Sequence, residues 1–341
     1  MKILHIGRSH GTTYHRYQAL KRLGHEVTLV DPFTVLPSNR WVAKWIYETG
    51  AWGLEKLVEK YVLDVTAGAH FDLALVDGGF VIGPGLVKAL GSKIGFVANY
   101  NVDDPFPRAD WRKWRLYRDS IPYYDLLVVV REQNISEVKL AGAKNVLHVF
   151  RSADEVAHKP APLTDADRVY WASQVAFVGT WMPERGPFMS RLLKRGVPLS
   201  IWGDRWHKAR EWNQIKDAWR GAGVFNQDYN RIIQSSKICL GLLSRDNRDF
   251  HTQRSAEIPA LGGLFCAERT AEHQQLYEDG HEAVFWNDAD ECADICLDLL
   301  KSPEKCREIA FNGHARCLKN NHFNEPMLRR IIAFAEKDKN I

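Results

Sequence analysis

The segment FHTQRSAEIPALGG, residues 250–263, places Arg254 three residues before Glu257, where a helix is predicted to end against a strand. A pair at this spacing could be an ordinary ion pair on a solvated helix face, which contributes only about 0.2–0.5 kcal/mol to helix stability. Alternatively, the cation could hold a phosphate while the carboxylate holds a sugar hydroxyl. Charge-assisted contacts to a leaving diphosphate contribute about 2–4 kcal/mol each to a transition state. We favour this second interpretation.

A second segment, FVGTWMPERGPFMSRLLKRG, has the sequence pattern of an anion-binding loop. An apolar strand ends at Gly179, and a short loop then leads to Arg185 and a predicted helix. The N-terminus of a helix offers free N–H groups and a partial positive charge, and an arginine adds a fork of donors. This pattern predicts a diphosphate site, although an exposed loop arginine would give the same letters.

Candidate catalytic carboxylates occur in NYNVDDPFPR, residues 99–108. Asp103 and Asp104 follow a predicted buried strand, so they are expected at the ligand-binding edge of a parallel sheet. A reaction that inverts the sugar configuration needs a base for the acceptor hydroxyl, and Asp103, Asp104 and His10 are the candidates. A retaining reaction could instead pass that proton to the departing phosphate. A simple turn before Pro105 also explains the two aspartates.

Strands and helices alternate along both halves of the chain. The predicted strands are MKILHIG, HEVTLVD, 71–78, 93–101, 125–130 and 145–150, and then 174–179, 198–203, 237–243, 263–268 and 283–286. This alternation predicts an α/β protein with two Rossmann-like, doubly wound domains that face each other across a cleft. We assign residues 1–158 to the first domain and 171–320 to the second. Residues 321–341 are predicted to form a helix that crosses back to the first domain, and 151–168 to form a linker.

Composition and missing motifs exclude several functional classes. The chain of 341 residues has 45% hydrophobic and 26% charged residues, which is typical of a folded protein of about two domains. Its net charge of +4 is too small to indicate nucleic-acid binding. The G-x-G-x-x-G, P-loop and H-E-x-x-H patterns do not occur. We therefore expect no cofactor and no metal, and we interpret Asp288-Ala-Asp290 as a helix cap rather than a metal ligand pair.

Cysteine usage and hydropathy bear on location. The six cysteines all lie in the second half without C-x-x-C spacing, which indicates reduced thiols rather than a disulfide framework or a zinc site. No apolar run approaches the roughly 18 residues of a membrane span. The start MKILHIG does not have the form of a signal peptide. These features predict a cytoplasmic protein.

Most of residues 174–332 resembles the group 1 glycosyltransferases, which have the GT-B fold. Asp249, seven further residues and Glu257 reproduce the spacing of two acidic residues in that family, and an Ala-x-Gly turn follows. Arginine three residues before the glutamate is typical of the CgeB-like branch, the spore maturation proteins and their relatives. IWGDRW and QLYEDGHEAVFW, residues 201–206 and 275–286, are also similar to that branch.

The resemblance implies roles for individual residues. Arg185 and Arg254 would carry the diphosphate of a nucleotide, Glu257 would bind the ribose, and Asp249 would lie near the transferred sugar. Thr180 occupies a donor-site position where the family has a basic residue, and Asp249 replaces the usual glutamate. The remaining donor-site positions implied by the resemblance are Gly179 and Gly262 for close backbone approach, Gly203, and Tyr229 at the base pocket.

The implied activity is hexosyltransferase-like, and the resemblance of residues 174–332 implies that the first domain, 1–158, binds an acceptor and the second, 171–320, a nucleotide sugar. A sugar would move from a nucleotide diphosphate sugar, with a UDP-sugar favoured, to a hydroxyl of a sugar, a glycan or a lipid-linked glycan. The reaction is expected to need no metal and to retain the anomeric configuration. Two alternatives remain open: a nucleotide-sugar epimerase or phosphorylase of the same fold, and a non-catalytic sugar-binding or coat-associated protein.

Two aromatic and basic segments have no role in this scheme. They are RWVAKWIYETGAW, residues 40–52, and DWRKWRLYRD, residues 110–119. Either could bind an anionic acceptor or make peripheral contact with a membrane. Such segments are more often helix faces whose long side chains cover a core. Nothing else in the sequence supports nucleic-acid binding.

Overall fold

The computed structural model describes residues 1–339, so the last two residues of the predicted 321–341 segment lie outside the described residues. The strands are β1 Lys2–Ile6, β2 Glu26–Val30, β3 Leu73–Asp77, β4 Val97–Asn101, β5 Leu126–Val129, β6 Val146–His148, β7 Ser173–Val178, β8 Leu199–Trp202, β9 Trp219–Gly221, β10 Ser236–Gly241, β11 Phe265–Glu268 and β12 Val284–Trp286. The helices are α1 Gly11–Arg22, α2 Arg40–Thr49, α3 Glu55–Val65, α4 Pro84–Ile94, α5 Arg115–Ser120, α6 Glu132–Leu140, α7 Asp165–Tyr170, α8 Arg185–Lys194, α9 Trp212–Ile215, α10 Asn226–Ser235, α11 Arg254–Ala260, α12 Ala271–Leu276, α13 Ala289–Leu300, α14 Pro303–Asn320 and α15 Asn324–Lys339. They form two compact units: unit 1 contains residues 1–150, residues 246–248 and α15, and unit 2 contains residues 151–245 and 249–323.

Unit 1 is built on a parallel six-stranded sheet in the order β2-β1-β3-β4-β5-β6. Both faces of the sheet are covered, as parallel sheets require. Successive residues of β3 show this directly, because Leu73 and Leu75 belong to one buried cluster while Ala74 and Val76 belong to another. The winding direction of the chain reverses between β1 and β3.

Helix α15 completes the core of unit 1. Its buried side chains Leu328, Ile331 and Ala335 lie in the same cluster as Leu73 and Leu75. It also packs against α1, where the Nε of Arg22 lies 2.7 Å from a carboxylate oxygen of Glu325. The helix therefore belongs to unit 1 although unit 2 precedes it in the chain.

Unit 2 contains a second parallel six-stranded sheet, in the order β12-β11-β10-β7-β8-β9. Counted within the unit, this is the strand order of a Rossmann fold, with the reversal between β7 and β10. Val175, Ile201 and Leu240 pack with residues of α8 and α13 on one face. Helices α10, α11 and α14 also pack against strands of this sheet. The predicted α/β class with two Rossmann-like folds is confirmed.

The structure differs from the predicted elements in detail. Strand β9 was not predicted, because it is only three residues long and its side chains are largely exposed. The fourth strand begins at Val97 rather than Lys93, since Lys93 lies in the last turn of α4 and Gly95 caps that helix at φ +92°. The segment predicted as a linker contains the start of α7 and folds with unit 2. Among the described helices, none combines the length and apolar character needed to cross a membrane.

Candidate functional site

The carboxyl ends of β7 and β10 meet at the point where the winding of the unit 2 sheet reverses. Ligands of open α/β sheets bind in the crevice outside such a reversal. The loop after β7 leads from Gly179 to Arg185, and the loop after β10 begins at Leu242. The two sequence segments with anion-binding patterns are brought together at this edge of the sheet, where Arg254 acts electrostatically on Arg185.

Arg185 begins α8 and links the two loops. Its Nη1 donates to the carbonyl oxygen of Thr180 at 2.7 Å, and its Nη2 donates to that of Leu243 at 3.2 Å. The residue is buried, and its Nε has no hydrogen-bond partner among the described residues. Burial lowers the pKa of Arg185 to about 10, so the guanidinium keeps its charge at neutral pH. A buried cation with a donor to spare is suited to an anionic ligand.

Arg254 and Glu257 form the ion pair that their spacing allows, but the pair is not on a solvated face. Glu257 is only 3% exposed. The guanidinium of Arg254 lies over the ring of Tyr229, 4.1 Å from its centroid. Burial alone would lower the pKa of Arg254, but Tyr229 and Glu257 outweigh it and raise that pKa. Tyr229 thus packs against the guanidinium of Arg254, and its place at a base pocket stays a prediction.

His158 is a member of this site that the sequence did not reveal. Its Nδ1 accepts a hydrogen bond from the backbone N–H of Asp154 at 2.9 Å, so the ring proton is on Nε2. That Nε2 lies 3.3 Å from an oxygen of Glu257. The residue falls in the segment predicted as a linker, where a single histidine beside prolines carries no recognisable signal. Glu257 is therefore fixed by two side chains and retains lone pairs for further donors.

Asp249 lies beside this cluster with partners of its own. Nη2 of Arg151 is 2.9 Å from a carboxylate oxygen of Asp249, and Asp249 also acts electrostatically on Arg185. The backbone N–H of Arg151 donates to Nε2 of His251 at 3.0 Å. Three arginines, at 151, 185 and 254, thus accompany two carboxylates, at 249 and 257. Their excess of positive charge favours an anionic ligand.

The glycines of the predicted donor site have structural roles within the fold. A Cβ at Gly203 would collide with the carbonyl oxygen of Gly179, and Nε1 of Trp206 donates to that oxygen at 3.0 Å. The two glycines thus let the ends of β7 and β8 approach each other. Gly262 follows α11 at φ +76°, and a Cβ there would contact nothing within 4 Å. The left-handed conformation of Gly262 favours glycine at this position.

The candidate base residues all lie in unit 1. His10 is the exposed N-cap residue of α1, and Asp103 is half-buried after β4. Asp104 is buried, and both of its oxygens accept from Arg248, at 2.6 and 2.9 Å. One oxygen of Asp104 also accepts from Asn134 at 3.1 Å. Because these contacts occupy the carboxylate of Asp104, Asp103 is the better candidate of the two for a base.

The corresponding edge of unit 1 carries a buried ion pair whose cation is already neutralised. Asp77, at the end of β3, accepts from Nε and Nη2 of Arg16 at 2.6 and 2.9 Å. Nε2 of His5 lies 3.3 Å from the same carboxylate. Arg16 and His5 hold the pKa of Asp77 well below its usual range, in spite of the burial that opposes them. Unit 2 is therefore the better candidate for binding an anionic ligand.

Side chains that resemble metal ligands have structural roles. Asp288 caps α13 and accepts from the N–H groups of Asp290 and Glu291 at 2.9 Å, which confirms the predicted cap. In residues 1–339, the one cluster with ligand-type atoms close together is formed by cysteines whose sulfur atoms lie within 4.8 Å of one another: Cys266, Cys292 and Cys296. These thiols are fully buried in the apolar core of unit 2. Free cysteine commonly packs as a small apolar residue in such positions.

His273 holds the start of α11 in place through a hydrogen bond with Ser255. Its Nδ1 donates to the carbonyl oxygen of Glu268 at 2.7 Å, so its Nε2 accepts from the hydroxyl of Ser255 at 2.9 Å. Ser255 is next to Arg254, and its oxygen also accepts from the N–H of Thr252 at 3.0 Å. Burial lowers the pKa of His273 to about 4. The imidazole is therefore neutral over the physiological pH range.

The depressed pKa of His273 predicts acid sensitivity of unit 2. Between pH 6.5 and 4 the unfolded chain binds more protons than the folded one, so the free energy of unfolding falls as the pH drops through this window. Above pH 6.5 the contribution of neutral His273 to stability is fully present. At pH 5 the expected loss from this residue is about 2 kcal/mol. Urea unfolding of wild type and His273→Gln at pH 7 and pH 5 measures it. We expect a smaller difference between the two pH values in the variant; an equal difference would contradict the prediction.

The chain is similar to known proteins both in sequence and in fold. The glycosyl transferase-like family matches residues 185–333, a span that begins at Arg185 and includes Asp249, Arg254 and Glu257. No curated protein matches the chain.

Solved structures resemble the chain over nearly its whole length. Sucrose-phosphate synthase from Thermosynechococcus elongatus has a TM-score of 0.70 at 11% identity, covering 99% of this chain and 98% of the other. Anabaena Alr3699/HepE in complex with UDP-glucose has a TM-score of 0.70 at 12% identity, covering 100% of both chains. A glycosyltransferase from Rickettsia africae has a TM-score of 0.63 at 14% identity, covering 99% of this chain and 98% of the other. At these identities the likeness shows the fold, which is the GT-B glycosyltransferase fold.

Proposed function

We propose that the protein transfers a sugar from a nucleotide diphosphate sugar to a hydroxyl acceptor. The observation that carries the proposal is the cluster of Arg185, Arg254 and Glu257 at the strand reversal of unit 2. This cluster lies within the residues that match the glycosyl transferase-like family. The similar Anabaena structure holds UDP-glucose, which makes a UDP-hexose the donor to test first. The Arg254-x-x-Glu257 spacing favours the CgeB-like branch.

Each part of the donor has a matching group. Arg185, at the N-terminus of the ten-residue helix α8, offers its unpaired Nε and the helix N–H groups to the diphosphate. Arg254 adds a second cation. Glu257, held by Arg254 and by His158, offers its remaining lone pairs to the ribose hydroxyls. Asp249, which acts electrostatically on Arg185, is proposed to contact the transferred sugar.

The arginines also determine the chemistry that we propose. The acceptor oxygen forms a bond to the anomeric carbon, while the bond from that carbon to the diphosphate oxygen breaks. The acceptor proton passes to the diphosphate, and the configuration is retained. Arg185 and Arg254 stabilise the negative charge that develops on the leaving group, a task that a divalent ion performs in other enzymes.

The buried, free thiols at all six cysteine positions fit a reducing compartment such as the cytoplasm.

Donor binding is the first test. We expect one nucleoside diphosphate among UDP, GDP, ADP, CDP and dTDP to raise the melting temperature. At about 100 times its dissociation constant the ligand should add about 2.7 kcal/mol to the free energy of unfolding. Glu257→Gln should lose most of this shift, because the ribose hydroxyls lose a charged acceptor. Glu304→Gln, an exposed change on α14 of the same unit, should keep it. A flat response of the wild type to every nucleotide would contradict the proposed donor site.

Product analysis separates transfer from the alternatives. UDP-glucose is incubated with the protein, with and without a mixture of free hexoses, and the released UDP and the sugar products are measured. Release that depends on the hexoses supports transfer. A new sugar nucleotide formed without any acceptor would identify an epimerase instead. Binding without turnover would identify a sugar-binding protein.

A further inference from the structure

Unit 1 carries a surface of exposed aromatic side chains, which we call the aromatic surface. Its members are Trp41, Trp45, Tyr47, Trp52 and Trp111, each between 44% and 72% exposed. Four belong to α2 or the turn after it, and the fifth precedes α5. Single exposed aromatic residues are common, but large exposed apolar patches mark contact sites. Both segments cover the core of unit 1, as expected, through Ile46, Trp114 and Tyr117, and the five exposed rings are additional to that role.

The two segments form one surface through specific contacts. Nε1 of Trp45 donates to the carbonyl oxygen of Trp52 at 3.1 Å, and the two rings stack at 6.3 Å. Arg115 lies 5.5 Å from the Trp52 ring, and Lys113 lies 4.8 Å from the Tyr47 ring. A cavity of about 710 Å³ lies between the segments and is lined by residues of both. The aromatic residues are thus held in place rather than scattered.

Positive charge surrounds the aromatic surface. The cations of these segments are Arg40, Lys44, Arg112, Lys113, Arg115 and Arg118, and the acidic residues among them are Glu48, Asp110 and Asp119. Asp110 and Asp119 pair with Lys113 and Arg115. Arg112 lines the cavity beside Trp111. The excess of cations favours an anionic partner.

We propose that this surface binds a bilayer that contains anionic lipids. Tryptophan and tyrosine favour the interface between lipid headgroups and acyl chains, and neighbouring Lys and Arg side chains bind anionic headgroups. An amphipathic helix with aromatic residues on one side and cations beside them has the composition of an interfacial helix. A bilayer surface can contact both segments at once, because an extended partner is not limited to the cavity between them. The proposal does not depend on the transferase activity.

Sedimentation with lipid vesicles tests the proposal. We expect the full chain to bind vesicles of phosphatidylcholine with about 30% phosphatidylglycerol. The double variant Lys44→Gln/Arg112→Gln should bind them about 30-fold more weakly, because each cation near such a surface contributes roughly a factor of five to the affinity. Trp41→Ala/Trp45→Ala should lower binding by at least about tenfold. Phe225→Ala/Phe311→Ala removes two equally exposed aromatic rings from unit 2 and should leave binding unchanged.

Two outcomes would overturn the proposal. One is no sedimentation of the wild type with anionic vesicles. The other is equal loss in the tryptophan variant and the unit 2 control. Circular dichroism of each variant establishes that it is folded, and since all four replaced side chains of the first two variants are partly or largely exposed, folding is expected to persist. If heparin, a soluble anionic glycan, binds in a Trp41- and Trp45-dependent manner while vesicles do not, the surface is an acceptor site instead.

Discussion

Replacing Arg185 with methionine is expected to lower the kcat/KM for donor turnover by about 100- to 1,000-fold, or about 3–4 kcal/mol of transition-state stabilisation. The reason is its position. The guanidinium is buried at the start of α8, is held by the carbonyl oxygens of Thr180 and Leu243, and keeps its Nε available. A cation that is already oriented in a water-poor site stabilises a departing diphosphate without reorganising during the reaction.

Arg191→Met is the matched control for this change. Arg191 lies on the same helix but is half exposed and pairs with Asp290. Its replacement should leave kcat/KM within about threefold of wild type, since an exposed ion pair contributes little. Arg185→Lys keeps the charge but not the two-sided hydrogen bonding, so an intermediate loss is expected. If Arg185→Met is folded, as judged by its melting curve, and turns over normally, the proposed diphosphate site is wrong.

Replacing Asp77 with alanine is expected to destabilise unit 1 by about 3–5 kcal/mol. Arg16 is only 1% exposed and has a bidentate contact with Asp77, so the change leaves a buried guanidinium without its counter-charge. The midpoint of urea unfolding, followed by circular dichroism, measures the effect. Asp64→Ala removes an exposed ion pair with Lys60 and should cost less than about 1 kcal/mol.

A double replacement distinguishes loss of charge balance from loss of packing at Asp77. Asp77→Leu combined with Arg16→Met removes both charges and fills the space with apolar atoms. Apolar replacements of buried ion pairs are often neutral or stabilising, so the double variant should recover much of the stability lost in Asp77→Ala. A double variant no more stable than Asp77→Ala would show that the site needs its polar groups for another reason.

Local sequence patterns were sufficient for the sheets but not for every member of the site. Strands such as β3 and β7 are continuous apolar runs, which is how strands covered on both faces read. Arg185 could be identified because it follows a strand and opens a helix, and Glu257 because it belongs to a family pattern in the helix before β11. His158 could not, because its role depends on a contact with Glu257 that is 99 residues away in sequence. The same limit applies to Asp104, whose partner Arg248 is also distant in sequence.

The placement of α15 in unit 1 has a consequence for how the protein is made. Residues 1–150 leave the ribosome first, but the apolar side of their sheet that meets Leu328 and Ile331 stays uncovered until α15 has been synthesised. At about 5–20 residues per second, translation of the intervening unit 2 takes on the order of ten seconds or more. During that interval the nascent unit 1 exposes a surface that a chaperone could bind, so biogenesis is the stage at which this chain is most vulnerable to aggregation.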